Sequence, residues 1–250
     1  MLRALTAGLM VLSLLAGCAQ MPGGTADTER LRNAIAIDDV GYLQDAVRSG
    51  KVSVNQRIPI PGYLEGAPLI TVAARYGSLN AARYLISAGA NVNARTPAGE
   101  TALMLASYFS EESRSGDGSG AHESVVRALV EAGASLENEP HNYTPLAYAA
   151  YQGHDRIVRY LIERGARVDG DADGGVVYVN TPLMMAAIQG HMDTALWLLR
   201  AGADPRVRVY LGGTASELAQ KNNHRNILTV LRCAETLAPG EPIVQKCAGR

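Results

Sequence analysis

The chain has 250 residues, of which 47% are hydrophobic and 19% are charged, a composition that excludes a disordered or fibrous protein. Its 23 Lys and Arg residues nearly balance its 24 Asp and Glu residues, which argues against nucleic acid as a partner. Three cysteines are too few for a small disulfide scaffold, and one Phe and one Trp beside 11 Tyr predict a core built mainly from aliphatic residues.

The chain opens with a segment typical of a secretory signal peptide. Arg3 is followed by 14 uncharged residues, 4–17, a run too short to span a bilayer stably. Residues 15–18, Leu-Ala-Gly-Cys, resemble the lipobox that ends bacterial lipoprotein signal peptides. This resemblance implies that residues 1–17 are removed and that Cys18 is acylated. An ordinary secreted protein and a short membrane anchor are the alternatives.

Residues 18–27 are predicted to tether the body of the protein to a membrane. The Pro-Gly-Gly sequence at 22–24 favours a flexible segment. The lipoprotein resemblance implies three acyl chains, and several chains bind a membrane firmly. Cys18 is followed by Ala19 rather than Asp, which by the same resemblance implies sorting to the outer membrane. We therefore expect a lipid-anchored protein on the periplasmic face of the bacterial outer membrane.

Four segments of the body begin with similar motifs, whose fullest form is Thr-Pro-Leu followed by an alanine pair. They start at residues 67, 101, 144 and 181, and a weaker fifth copy starts at residue 214. Each of the four is followed by a second apolar run that ends in Gly-Ala. Proline at a first helical position and glycine after a last one are helix start and stop signals. The pattern predicts pairs of short antiparallel helices, repeated about every 33 residues.

These helix pairs resemble ankyrin repeats over about residues 28–234. Units at 31–54 and 218–231 keep the pattern with substitutions, as terminal repeats do because their outer faces meet water. The resemblance implies an all-α solenoid of about six helix-turn-helix units with short β-hairpin fingers. Residues 235–250 are left as a C-terminal tail.

Insertions interrupt the regular spacing in two ways. About ten extra residues fall within 110–120, between the two helices of one unit, as a tolerated surface loop or as a contact with a partner. Two connections between units, 50–67 and 165–181, are also long. Their apolar residues at 58–63 and 176–179 are either exposed anchors for a partner or packing between neighbouring fingers.

One long connection carries a weak candidate for a calcium site. Asp169, Asp171 and Asp173, followed by Gly174, fit the first half of a calcium-binding loop. Asn180 stands where that loop requires a bidentate glutamate, and Asp and Gly are ordinary residues of a hairpin tip. We therefore expect no metal and no cofactor.

The resemblance implies that the two residues after each alanine pair face a concave groove, to which the finger tips add. The inner-helix positions are Arg75, Tyr76, Tyr108, Phe109, Tyr151, Gln152, Ile188 and Gln189. The finger positions are Pro97, Glu100, His141, Tyr143, Tyr210 and Leu211. Tyrosine and arginine concentrate binding energy at interfaces, so this row predicts a protein-binding groove. Packing between repeats is the alternative, and it is the expectation for Tyr84 and Tyr160 on the second helices.

No motif in the chain indicates catalysis. A nucleophile elbow, a phosphate loop, a zinc-protease motif and a Cys-x-x-Cys pair are all absent from the sequence. Four histidines occupy the same repeat position, where the resemblance implies hydrogen bonds to backbone: His122, His154, His191 and His224. Positions spread along a solenoid do not converge on one centre, so we expect no enzyme.

Cys233 and Cys247 remain once Cys18 is acylated, and an oxidising compartment favours a disulfide between them that pins the tail. The sequence thus predicts a tethered periplasmic protein, expected to be a monomer, that binds another protein. Its role stays open between an immunity or inhibitor protein against a periplasm-acting toxin and an envelope scaffold or stress-protection factor. An enzyme or metal-binding accessory protein is the third alternative.

Overall fold

The computed structural model describes residues 26–109, 121–138, 143–170, 176–210, 212–238 and 241–247. Its helices are α1 (Ala26–Ala36), α2 (Val40–Arg48), α3 (Leu69–Tyr76), α4 (Leu79–Ser87), α5 (Ala102–Tyr108), α6 (Ala121–Glu131), α7 (Pro145–Gln152), α8 (Asp155–Glu163), α9 (Pro182–Gln189), α10 (Met192–Arg200), α11 (Ala215–Lys221), α12 (Arg225–Thr236) and α13 (Ile243–Cys247). Its strands are β1 (Arg57–Ile60), β2 (Tyr63–Pro68), β3 (Val176–Val177) and β4 (Arg208–Val209).

Helices α1 to α12 form six pairs that stack in two layers. Each odd-numbered helix contacts the next odd-numbered helix, which makes an inner layer from α1 to α11. Each even-numbered helix contacts the next even-numbered helix, which makes an outer layer from α2 to α12. The predicted solenoid of six helix-turn-helix units is confirmed.

The repeated motif of the sequence sets where the inner helices begin and end. A threonine precedes four of them, and its hydroxyl accepts the backbone N–H of the residue three positions ahead: Thr101, Thr144, Thr181 and Thr214. Three inner helices end at a glycine with a left-handed backbone: Gly77, Gly153 and Gly190. The helices are therefore short because both of their ends are specified locally.

The core lies between the two layers and is built from small and aliphatic side chains. Ala73, Ala106, Ala149 and Ala186 of four successive inner helices are fully buried, and their size lets the helices approach closely. On the outer helices, Tyr160 is buried and Tyr84 is half-buried against the core, in keeping with a packing role.

The connections between units differ from the expected row of hairpins. β1 and β2 form an antiparallel hairpin, but β3 pairs in parallel with β4 of the next connection. A single bridge from Arg95 to Thr101 closes another connection. In the described part of the chain, therefore, one connection is a β-hairpin whose register shifts between Ile58 and Ile60, and the β3–β4 pairing joins two neighbouring connections.

Of the two alternatives left open for the first long finger, the structure favours packing over exposure. Ile58 and Ile60 are fully buried, and Tyr63 is 7% exposed. Residues two apart in a strand share one face, and β1 turns that face toward α1 and α3. Leu64 of the hairpin and Tyr178 of the second long finger remain exposed.

A ladder of side-chain hydrogen bonds joins successive connections. Each rung is a side-chain amide or carboxylate oxygen that accepts a backbone N–H from the next connection along the chain, at 2.7–3.0 Å. The rung residues are Asn55, Asn93, Glu137 and Asp169, and they bind the N–H groups of Asn91, Ser135, Arg167 and Asp204. The ladder aligns the units on the side opposite the turns between paired helices.

Asp169 is used by this ladder, which gives it a structural role that the calcium interpretation did not include. Its two carboxylate oxygens lie 3.3 and 3.0 Å from the backbone nitrogen of Asp204. Burial raises the pKa of Asp169 to about 6. Asp171 and Asp173 lie outside the described residues, and within those described no group of three or more His, Cys, Asp or Glu side chains is placed to hold a metal.

The C-terminal tail folds back onto the last units. Helix α13 contacts α10 and α12, and a disulfide joins Cys247 on α13 to Cys233 on α12. Cys247 is 1% exposed, so the bond is shielded from solvent. The end of the solenoid is thus covered by its own chain.

Several sequence predictions fall outside the described residues. They concern the signal segment, Cys18 and most of the tether within 1–25, the inserted loop at 110–120, His141 and Leu211. No helix in the part of the chain that the structure describes is both long and apolar enough to cross a membrane.

Candidate protein-binding surface

The last turns of the inner helices emerge from the core with their side chains partly exposed. The residues before them are buried, whereas the end residues are half-buried or exposed because the helix has reached the edge of the layer. The half-buried ones are Arg75, Tyr76, Tyr108, Phe109, Tyr151, Gln152 and Ile188, and Gln189 is exposed.

Tyr108 lies at the centre of a group of aromatic rings from two neighbouring units. Its ring centroid is 5.0 Å from that of Phe109, 5.7 Å from that of Tyr148 and 6.3 Å from that of Tyr151. The Tyr108 and Tyr151 rings are stacked with 14° between their planes. Tyr143 extends the group, with its centroid 6.1 Å from that of Tyr148. We call these five rings the aromatic surface.

Arg75 joins the preceding unit to the aromatic surface. Its Cζ lies 4.8 Å from the ring centroid of Phe109 and 6.0 Å from that of Tyr63. A guanidinium over a ring face is attracted by the negative charge of the π system. Arg75 is therefore held in a defined position at the edge of the surface.

Glu100 is the acidic group beside these rings. Its carboxylate accepts hydrogen bonds from the hydroxyls of Tyr63, Thr96 and Tyr148. Burial, and then the neighbouring Glu100, raises the pKa of Tyr63 and Tyr148 well above the ordinary range. These two tyrosines remain protonated donors, and they hold the carboxylate in place.

The hydroxyls of two further tyrosines of the surface are also held. Tyr108 is hydrogen-bonded to Gln152, and Tyr143 to Asn180. Burial raises the pKa of both tyrosines. Rings whose hydroxyls are fixed in this way offer a rigid surface to a partner.

The sequence analysis missed Tyr148, and it placed Tyr63 on the first long finger without its contact to Glu100. Tyr148 precedes Tyr151 by three positions on α7, so it lies on the same helix face. That spacing was a usable signal, but only the last two helical residues had been assigned to the groove. Tyr63 lies at the start of β2, and no pattern in the sequence marks its turn toward Glu100.

Not every predicted residue joins the aromatic surface. Tyr210 instead contacts Tyr178, with ring centroids 5.5 Å apart, beside the β3–β4 pairing. Within the described residues, Tyr76 makes no ring contact, and Ile188 packs against the core. The predicted row is therefore one large aromatic group and a separate, exposed tyrosine pair.

The four repeated histidines anchor the ends of the inner helices. Each ring Nε2 lies 2.9–3.3 Å from a backbone carbonyl oxygen of the preceding unit, to which it donates. The pairs are His122 with Arg75, His154 with Tyr108, His191 with Tyr151 and His224 with Ile188. In the first junction, Ser78 takes the place of histidine and donates to the carbonyl of Ile35 at 2.5 Å.

These histidines occupy four separate junctions, so they share no common centre for metal binding or acid–base chemistry. Burial lowers the pKa of His154, which favours the neutral ring that donates from one nitrogen. Their shared function in the fold is to hold the backbone carbonyl groups of Arg75, Tyr108, Tyr151 and Ile188 in place.

Comparison with protein-family models gives two matches, both to ankyrin repeats. One model, described as three copies, matches residues 118–172, and the other, described as many copies, matches residues 70–113 and 146–199. A search of curated proteins gave no significant match. Ankyrin repeats imply protein–protein binding and typically form non-enzymatic scaffolds. The two models together cover half of the chain, which agrees with the stacked helix pairs, and the chain belongs to the ankyrin-repeat family.

Proposed function

We propose that this protein is a lipid-anchored periplasmic ankyrin protein that holds one partner protein against its aromatic surface. The observation that carries the proposal is the continuous contact of Tyr108 with Phe109, Tyr148 and Tyr151. Large rings with a polar end contribute much of the binding energy at protein interfaces. The partner would bury these rings, which the chain itself leaves partly exposed.

The rings are already arranged before a partner binds. Three kinds of contact limit the motion of the rings. The rings touch one another, the hydroxyls of Tyr108 and Tyr143 are hydrogen-bonded, and histidines bind the carbonyls of Tyr108 and Tyr151. A surface that needs little ordering loses little entropy on binding. This favours one tightly held partner, as in an inhibitor or immunity protein, over a scaffold with many weak partners.

The proposed location depends on the first 18 residues. A short apolar run that ends in Leu-Ala-Gly-Cys supports a lipoprotein signal and acylation of Cys18. The Cys233–Cys247 disulfide supports an oxidising compartment, where such bonds persist. Together they favour the periplasm, with the lipid keeping the protein near a membrane.

Affinity capture after crosslinking in the cell envelope tests the binding function. The bait is the full chain, compared with the double variant Tyr108→Ala, Tyr151→Ala. Tyr42→Ala, an exposed tyrosine on α2 far from the surface in sequence, is the matched control. We expect one stoichiometric partner with the wild type and the control, and its loss in the double variant.

Circular dichroism and thermal melting accompany this capture, because the double variant must keep its fold. A folded variant that retains the partner would place the binding site elsewhere. Many weak partners, unaffected by the variant, would favour the scaffold role instead.

Membrane fractionation tests the anchor separately. The variant Cys18→Ser removes the thiol that would carry the lipid. We expect the wild type to sediment with membranes and the variant to remain in the supernatant. Sedimentation of the variant with membranes would reject the lipoprotein proposal and leave the binding function unaffected.

A further inference from the structure

The guanidinium of Arg75 is fixed in position while its hydrogen-bond donors are unused. Its Cζ lies over the ring of Phe109 at 4.8 Å and over that of Tyr63 at 6.0 Å. Among the described residues, its guanidinium has no hydrogen bond and no ion pair, although it is only half-buried. A guanidinium carries five N–H donors in a rigid plane that suits a carboxylate.

The nearest acidic group of the surface does not supply that carboxylate. Glu100 is occupied by the hydroxyls of Tyr63, Thr96 and Tyr148, which compete for its lone pairs. The acid is therefore satisfied within the chain, whereas the base is not. Because of this difference, the aromatic surface should prefer a partner group that carries a negative charge.

We propose that Arg75 binds an aspartate or glutamate side chain of the partner, beside an apolar side chain that rests on Tyr108 and Tyr151. The proposal rests on the proposed function, since it names the chemistry of the segment that the aromatic surface holds. The contact with the Phe109 ring uses none of the guanidinium N–H donors as a hydrogen bond, and two of them can form a bidentate pair with a carboxylate.

The end residues of the next three inner helices, α5, α7 and α9, are uncharged, and Lys221 ends α11 four units beyond Arg75, which limits the preference near the rings to one acidic position. Gln152, Ile188 and Gln189 follow the aromatic rings along the stack and offer no further cation. A partner segment with one acidic residue and neighbouring apolar residues complements this surface in charge. A highly acidic segment would leave its remaining carboxylates unpaired.

Panning of phage-displayed random 12-residue peptides on the full chain tests the proposal. Parallel selections use wild type, Arg75→Gln, Arg75→Glu and the control Arg83→Gln, an exposed arginine on α4 of the same unit. We expect one acidic residue next to an apolar residue in peptides from wild type and Arg83→Gln. Arg75→Gln should lose this preference, and Arg75→Glu should select a basic residue.

A synthetic peptide from the wild-type selection is then measured by calorimetry. Replacing its acidic residue by the matching amide, or Arg75 by Gln, should each weaken binding by roughly tenfold. The two changes together should cost little more than either alone, because both remove the same pair. Additive losses would overturn the pairing.

Other outcomes separate this inference from the proposed function. Peptides without an acidic preference, whose binding is lost in Tyr108→Ala, Tyr151→Ala, would overturn the role of Arg75 and support the surface. Peptides that bind the double variant unchanged, or no enriched peptide at all, would count against both.

Discussion

A Cβ atom added to Gly153 would lie 2.6 Å from Nδ1 of His191 in the next unit. The histidine that anchors the carbonyl of Tyr151 thus also fills the space above the glycine that ends the same helix. Gly77 with His122 and Gly190 with His224 repeat this relationship. Two features favour glycine at each of these junctions. The backbone is left-handed, and a histidine ring occupies the space that a Cβ atom would need.

The variant Gly153→Ala separates these two features when compared with Gly165→Ala in the same unit. Gly165 also has a left-handed backbone, φ +94°, but nothing lies within 4 Å of its Cβ position. We expect Gly165→Ala to cost about 1 kcal/mol of unfolding free energy. Gly153→Ala should cost about 2–4 kcal/mol, because the methyl group also displaces His191.

Urea denaturation measures both variants, and His191→Ser in the Gly153→Ala background provides a further check. The smaller serine leaves room for the methyl group, as at the first junction, where Asp38 has a left-handed φ of 59° opposite Ser78. We expect the serine to cost less in this background than in wild type. Equal costs in the two backgrounds would contradict the packing explanation.

The variant Asp169→Asn should stabilise the protein at neutral pH. Burial raises the pKa of Asp169 from 3.8 to about 6, so the folded state binds its proton more tightly than the unfolded state. This contribution is complete below pH 3.8 and is lost as the pH rises through 6. Asparagine still accepts the Asp204 N–H, as Asn55 and Asn93 do in their own rungs.

Unfolding free energies of this variant and wild type are compared at pH 4 and pH 7.5. We expect a gain of about 1 kcal/mol at pH 7.5, reduced by the partial solvent exposure of the carboxyl, and almost none at pH 4. Asp193→Asn, an exposed residue of α10, is the control for loss of one negative charge. A gain that is equal at both pH values would argue against a buried, protonating carboxyl.

Removal of the disulfide, by Cys233→Ser with Cys247→Ser, should destabilise the last units. The two cysteines are 14 positions apart in the sequence. Closing a loop of this length contributes about 3 kcal/mol to the free energy of unfolding, because it reduces the freedom of the unfolded chain. Thermal melting should show a lower midpoint, and added dithiothreitol should lower the wild-type midpoint without changing that of the variant. An unchanged midpoint in the variant would show that α13 stays docked without the bond.

The variant Glu100→Ala should loosen the aromatic surface. It leaves the buried hydroxyls of Tyr63 and Tyr148 without their acceptor, at a cost of about 2 kcal/mol in unfolding free energy. Glu100→Gln keeps one acceptor oxygen and should cost less. Glu65→Ala on β2, which removes an exposed glutamate, is the control. Urea denaturation measures the unfolding free energy of each variant. Equal losses in Glu65→Ala and Glu100→Ala would contradict the role assigned to Glu100.

The repeat architecture could be predicted because its signals are local. Threonine caps and glycine ends lie within a few residues of the helices they delimit, and the histidines recur at one position in each unit. The surroundings of the aromatic surface were less accessible, because Tyr63 reaches Glu100 from 37 residues away. Which face of β1 turns inward also depends on α1 and α3, so the burial of Ile58 could not be deduced from its own finger.

Asp38 and Ser78 make the first junction of the stack different from the later ones. The carboxylate of Asp38 accepts the N–H groups of Asn80 and Ala81 at the start of α4, whereas three later units present a glycine to a histidine ring. The units are consequently not all interchangeable, since the edge that carries Asp38 meets a serine where those three edges meet a histidine. A unit in the interior of the array, with a glycine–histidine contact at both of its edges, can be duplicated or lost during evolution without a change in how its neighbours pack. The first unit can be exchanged only together with the serine that follows it.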